Sequence, residues 1–131
     1  MAAPIRLVAL ASDALRSYPL VKPQTTIGSA PDNDVMIDHK SVSRRHAVIV
    51  RGRFGRFAVR DLDSTNGTRI NGRRTSGARR MRPGDEVEFG SVRFAVMNSP
   101  RRRRTLGAPA IAAMLLLLTA AGFGVARYLA T

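Results

Sequence analysis

The stretch "DLDSTNGTRING", Asp61 to Gly72, holds two Asn-Gly pairs, Asn66-Gly67 and Asn71-Gly72, within twelve residues. Asn-Gly is a strong short-range signal for a tight hairpin turn, because the turn needs positive φ angles that these residues tolerate. The segments on either side of it read as short strands. "FAVRDL" leads in from Phe57, and "HAVIVR", His46 to Arg51, alternates before breaking at "GRFG". "GDEVEFG" and "VRFAVM" follow downstream; "IRLVALA", "TTIG" and "DVMID" come before. Before Pro100 no segment sustains a helical period. Six or more short strands separated by Gly and Asn turns predict an all-β sandwich or barrel.

The 131 residues include no cysteine, which excludes disulfides, thiol redox chemistry and Cys-based zinc sites. Two histidines, His39 and His46, are too few and too loosely spaced for a metal site, and no cofactor is expected. Charge is lopsided: 22 Lys+Arg against nine Asp+Glu, with arginine supplying all but two of the cations. The guanidinium fork matches phosphate and carboxylate with paired hydrogen bonds, so nucleic acid, anionic lipid and phosphopeptide all qualify as partners. The plainer reading of many of these arginines is a solvated basic surface.

The last thirty residues differ in kind. Arg101–Arg104 precede "LGAPAIAAMLLLLTAAGFGVA", Leu106 to Ala126, 21 residues without a charge. As a helix they extend about 31 Å, the thickness of a bilayer's hydrocarbon core. A domain this small has no room to wrap such a helix on every side, so the expectation is a membrane span. The arginines on its N-terminal flank place the preceding domain in the cytoplasm, at the inner membrane if the source is bacterial, as the abundance of Ala, Arg and Gly hints. The expected organisation is a β domain over 1–98, a basic juxtamembrane linker over 99–105, a transmembrane helix over 106–126 and a short tail over 127–131. Residues 1–98 carry 17 Lys+Arg and all nine acids.

Polar chemistry concentrates in three connections: "IGSAPDND", "DHKSVSRRH" and "DLDSTNGTRING". Loops at one end of a sandwich lie side by side, so residues distant in sequence can build one site. Ser43, Arg44, Thr65 and Asn66 supply hydroxyl, guanidinium and amide groups, a set that suits a phosphate oxygen.

In order, "GSAPDNDVMID", "SVSRRHAVIV", "DLDSTNGTRING", "MRPGDEVEFG" and "RFAV" resemble a forkhead-associated (FHA) domain from about Thr26 to Val96. The resemblance implies an eleven-stranded β-sandwich that binds phosphothreonine peptides, so a protein phosphorylated on threonine, a Ser/Thr kinase or its substrate, is the expected partner. It implies that Ser43, Arg44 and Thr65 contact the phosphate or its surroundings and that Asn66 holds the peptide backbone. Gly28, His46 and Gly67 are implied to support the loops. Ser41 stands where the family reads the third residue after the phosphothreonine, and Arg45 has no implied role. Ser29 departs from the pattern, standing where the family carries a phosphate-gripping arginine. A charge-assisted hydrogen bond contributes about 1.5–3 kcal/mol, so its loss weakens binding by about tenfold or more. Lys40, Arg44 and Arg45 are the candidates to compensate.

Other functions fit less well. Ser43, His46 and Asp61 are the residue types of a hydrolytic triad, but no Gly-x-Ser-x-Gly elbow accompanies them, and an enzyme is not expected. Nucleic-acid binding would suit the charge, but the aromatics are few and scattered. A phospho-independent adaptor with the same fold, in a membrane assembly such as a secretion system, is the alternative to a phosphothreonine receptor.

Overall fold

The structure, a computed structural model, describes residues 4–10 and 16–100. Eleven strands run through them: Ile5–Ala9 (β1), Ser17–Pro19 (β2), Gln24–Gly28 (β3), Val35–Met36 (β4), Ala47–Arg51 (β5), Phe57–Asp61 (β6), Thr68–Ile70 (β7), Arg73–Arg74 (β8), Ala78–Met81 (β9), Glu86–Phe89 (β10) and Val92–Asn98 (β11). They form a sandwich. One sheet has the order β2-β1-β11-β10-β7-β8 and the other β4-β3-β5-β6-β9.

Strand alternation decides which side chains meet between the sheets. Leu7, Val87, Phe89, Phe94 and Val96 from the first sheet face Ile27, Ile49, Val59 and Met81 from the second, all buried in one core. Each such side chain stabilises by about 1.5–3 kcal/mol on burial. β1 pairs antiparallel with β11, Ile5 opposite Asn98, so the first and last strands lie together. Every core side chain among the described residues falls between Ile5 and Val96.

The strands expected from alternation are present, although "DVMID" contributes only Val35 and Met36, paired parallel to Ile27 and Gly28. The Asn71-Gly72 turn closes the β7–β8 hairpin with φ of 51° and 81°. β2, β8 and β9 carry no alternation that sequence reading could use. In β9 only Met81 is buried. The expected membrane span, 106–126, its linker's Arg101–Arg104 and the tail lie outside the described residues. Among the described residues no helix is long and apolar enough to cross a membrane.

Candidate functional site

β5 begins directly after His46 and β6 ends at Asp61, with Ala47 opposite Asp61. This register brings the loop before β5 and the loop after β6 to the same end of the sandwich. The loop after β3 joins them. Ser29 N–H donates to the Ser43 carbonyl at 3.0 Å, and His46 N–H donates to the Ile27 carbonyl at 2.8 Å. Ser29, Ser43, Arg44, Thr65 and Asn66 therefore stand on three adjoining loops.

His46 is fully buried, and both ring nitrogens are used. Ser43 N–H donates to Nδ1 at 3.1 Å, and Nε2 lies 2.9 Å from the Gly67 carbonyl. An Nδ1 that accepts leaves Nε2 as the protonated donor, so these contacts assign the neutral Nε2–H tautomer. The ring stands edge-on to Phe89, centroids 5.8 Å apart. His46 thus ties the Ser43 loop to the Gly67 loop from beneath.

The Ser43 hydroxyl accepts the Thr65 N–H at 3.1 Å. Its own hydrogen has no acceptor among the described residues. Asn66 Nδ2 donates to the Ser41 carbonyl at 2.8 Å, leaving its side-chain oxygen and second N–H available. These contacts do not make a catalytic relay. Asp61 lies 3.8 Å from an Nε2 already directed at Gly67, and the ring meets Ser43 through backbone N–H, not hydroxyl.

The two supporting glycines have different causes. At Gly28 a Cβ would lie 2.0 Å from the Arg44 carbonyl oxygen, so the backbones approach too closely for any side chain. At Gly67, φ is 81°, a region that side-chain-bearing residues rarely enter. A Cβ there would also meet the Arg74 guanidinium, 2.8 Å away.

Sequence reading gave Asn33, Ser64 and Thr68 no role. Asn33 Nδ2 donates to the Ala30 and Arg44 carbonyls, both at 2.8 Å, and so pins the loop carrying Arg44. Asp61 organises the loop after β6. Its carboxylate accepts from Ser64 N–H, Ser64 hydroxyl and the Thr68 hydroxyl, while Ser64 Oγ accepts the Gly67 N–H. Partial burial alone would raise the pKa of Asp61. The hydrogen bonds from Ser64 and Thr68 outweigh it and hold the carboxyl below its ordinary value. The Asp-x-x-Ser spacing of Asp61 and Ser64 was the available signal, since Asp often bonds backbone a few residues on.

The candidate substitutes for the missing arginine separate. Arg45 is paired with Asp32 at 3.0 Å. Arg44 and Lys40 are exposed and form no ion pair among the described residues. The Ser41 hydroxyl is engaged by Ser91 Oγ at 2.9 Å and His39 Nδ1 at 2.7 Å, so it faces the domain and not a ligand.

The family model of the FHA domain matches residues 25–90. The oxoglutarate dehydrogenase inhibitor of Corynebacterium diphtheriae is 40% identical over 82 residues, which cover 63% of this chain and 56% of the inhibitor. The chain thus aligns with little more than half the length of that curated relative. Mycobacterium tuberculosis EmbR, solved in complex with a low-affinity phosphopeptide, superimposes with a TM-score of 0.67 at 35% identity, over 74% of this chain and 25% of that one. An FHA domain solved in a study of phosphothreonine-dependent FHA domain interactions gives a TM-score of 0.67 at 27% identity, over 74% of this chain and 98% of that one.

Proposed function

The chain belongs to the FHA-domain family, and on that premise we propose that it is a non-catalytic signalling module that binds phosphothreonine peptides at the Ser43–Asn66 loops. The observation that carries this reading is the Thr65 N–H donated to Ser43 Oγ. It joins two loops and leaves the serine hydroxyl hydrogen without an acceptor among the described residues, free for an oxygen that only accepts. Phosphate is such a group, carrying about −1.5 to −2 charge at neutral pH. Arg44, exposed and without an acidic partner among the described residues, supplies the cation that Ser29 does not. Thr65 adds a hydroxyl, and Asn66 uses its free amide atoms on the peptide backbone.

The resident position is a membrane. Residues 106–126 span it, Arg101–Arg104 keep 1–98 on the cytoplasmic face, and the partner is a cytoplasmic Ser/Thr kinase or its substrate. What supports this is the uncharged length and its basic flank. In right-side-out bacterial vesicles added protease spares residues 1–98, and in inverted vesicles it reaches them; the reverse pattern overturns the topology.

Titration with a degenerate phosphothreonine peptide library against its unphosphorylated twin tests the ligand. Binding of the phosphorylated library alone, weakened about tenfold or more by Ser43→Ala, supports the proposal. Ser29→Arg then tightens it by restoring a guanidinium beside the Ser43 loop. Equal binding of both libraries favours the second reading, a phospho-independent adaptor, for which Ser29 is the specific observation.

A further inference from the structure

β5 and β6 form a hairpin whose other end lies about 13 Å from the Ser43 loops, at roughly 3.3 Å per residue. Its turn, Gly52 to Arg56, carries Phe54 at the tip, 80% exposed. Phe54 has a φ of 61°, uncommon for a bulky side chain. The Arg56 guanidinium lies 6.0 Å from its ring. Beside it a recess of about 540 Å³ is floored by Val50, Ala58 and Ala78 and bordered by Arg53, Arg60 and Arg80.

The charge here is exceptional within the domain. "RGRFGRFAVR", Arg51 to Arg60, and "RRTSGARRMR", Arg73 to Arg82, together hold nine arginines and no acid. Residues 1–98 contain 17 Lys+Arg, so the remaining eight face all nine acids. The positive excess therefore resides in two segments. Their β6 and β9 parts pair, Ala58 opposite Arg80 and Arg60 opposite Ala78, while Arg73 and Arg74 form β8 in the other sheet, Arg74 beside Gly67. None of the nine arginines forms an ion pair among the described residues. Asp85 shares a neighbouring recess with Arg79, Arg80 and Arg82, but its carboxylate takes the Arg82 backbone N–H. Desolvation, then the nearby charges of Arg56 and Arg82, lower the pKa of Arg80.

A third fact identifies the occupant. Asn98, the last residue of β11, lines a small recess with Arg56, Arg80 and Arg82. The chain leaves the sandwich beside these arginines, and the next residues in sequence bring Arg101–Arg104 and then the 21 uncharged ones. We propose that the β5–β6 turn and the β9 edge dock onto an anionic phospholipid bilayer, with Phe54 inserted among the acyl chains and Arg53, Arg56, Arg60 and Arg80 on the headgroups. A single-stranded nucleic acid would want a row of stacking aromatics, but Phe57 is buried and Phe54 stands alone at the tip. The surface is separate from the phosphopeptide loops and holds them away from the bilayer, open to a cytoplasmic ligand.

Residues 1–100 serve for the test, because every core side chain among the described residues and the β1–β11 closure, Ser99 N–H on the Pro4 carbonyl included, lie within them. The solved FHA domain matched over 98% of its chain is such a unit standing alone. Co-sedimentation compares vesicles of phosphatidylcholine with vesicles of equal parts phosphatidylcholine and phosphatidylglycerol. The domain binds the mixed vesicles, is released by salt, and ignores phosphatidylcholine alone. Replacing Arg53, Arg56 and Arg80 by serine weakens binding about a hundredfold, at about fivefold for each arginine near the surface. Phe54→Ser weakens it without any change in charge. Replacing Lys22, Arg45 and Arg93 by serine, an equal change in net charge, has a much smaller effect. Thermal melts confirm that each variant folds, and unchanged phosphopeptide affinity in the patch variants separates this proposal from the functional one. The proposal is overturned by absence of vesicle binding, by equal binding to neutral vesicles, by an equal loss in the remote triple variant, or by indifference to Phe54→Ser. Tighter binding to a short duplex DNA or to poly-glutamate at the same salt also overturns it, and reassigns the surface.

Discussion

At one end of the β5–β6 hairpin His46 is fully buried, with one ring nitrogen accepting and the other donating. At the other end Phe54 is 80% exposed, and the arginines around it have no carboxylate partner among the described residues. Both ends are polar, yet they are held differently. Near Ser43 the polar groups fix one another, so a ligand meets a site already shaped and spends little binding energy on ordering it. Around Arg80 the cations repel one another, and their favourable contacts wait for an outside anion. Stability should therefore depend steeply on the first end and hardly at all on the second.

The largest effect comes from His46→Ala. It leaves Ser43 N–H without its acceptor, takes from the Gly67 carbonyl one of its two donors and opens a cavity beside Phe89. The expected cost is about 3 kcal/mol or more, a fall of about 12 °C or more in Tm for a domain of this size. Phosphopeptide affinity falls with it. A variant with wild-type Tm and lost affinity would make His46 a ligand contact instead of a brace.

Gly28→Ala comes next. A methyl 2.0 Å from the Arg44 carbonyl must push the Ser43 loop aside, at about 1–3 kcal/mol. Asn33→Ala takes one donor from each of two carbonyls, Ala30 in its own loop and Arg44 in the loop before β5, and costs about 1–2 kcal/mol. Both are read by denaturant unfolding alongside peptide titration. If either leaves affinity intact, the loop does not need this brace.

Acid loosens the Asp61 loop and the Asp34 contacts to Lys22 and Thr26. The folded-state pKa values of Asp61 and Asp34 are depressed, the latter chiefly by its hydrogen bond from Lys22. A depressed carboxyl contributes stability that is present above its unfolded pKa, about 3.9, and lost as pH falls through the lower folded value. Tm should drop below about pH 4, and Asp61→Asn should remove part of that slope. An unchanged slope would mean that the loop does not titrate through Asp61.

The smallest effects belong to exposed charges. Arg45→Ala breaks an ion pair whose side chains are 68% and 62% exposed, costing about 0.5 kcal/mol or less. Arg80→Ser leaves Tm unchanged or slightly raised, most visibly at low salt, because it relieves repulsion from Arg56 and Arg82. A marked loss of stability there would mean that the patch is braced after all.

How much of this was legible depended on whether a residue's role leaves a local trace. β5, β6, β10 and β11 alternate, so their sequences announce strands. β9 reads "ARRM" and β8 "RR", because at a sheet edge only Met81 reaches the core and arginines fill the rest. Ser43, Thr65 and Asn66 were legible as a polar cluster beside turns, and the topology does gather them. Asn33 was not, because an Asn after "APD" reads as part of a turn, and it also holds the Arg44 carbonyl eleven residues away. The arginine face escaped sequence reading for a related reason. Its two basic segments are separated along the chain and meet only through the β6–β9 ladder.

The Gly67 carbonyl accepts two donors, His46 Nε2–H at 2.9 Å and Gly90 N–H at 3.1 Å. Three connections, those before β5, before β7 and before β11, hang from one oxygen atom. Chain length is therefore fixed there in a way that composition is not. A single residue inserted between Asp61 and Gly67 would displace that oxygen and release the other two connections with it. The turn from Gly52 to Arg56, whose backbone bonds close on themselves, can lengthen without disturbing any other loop.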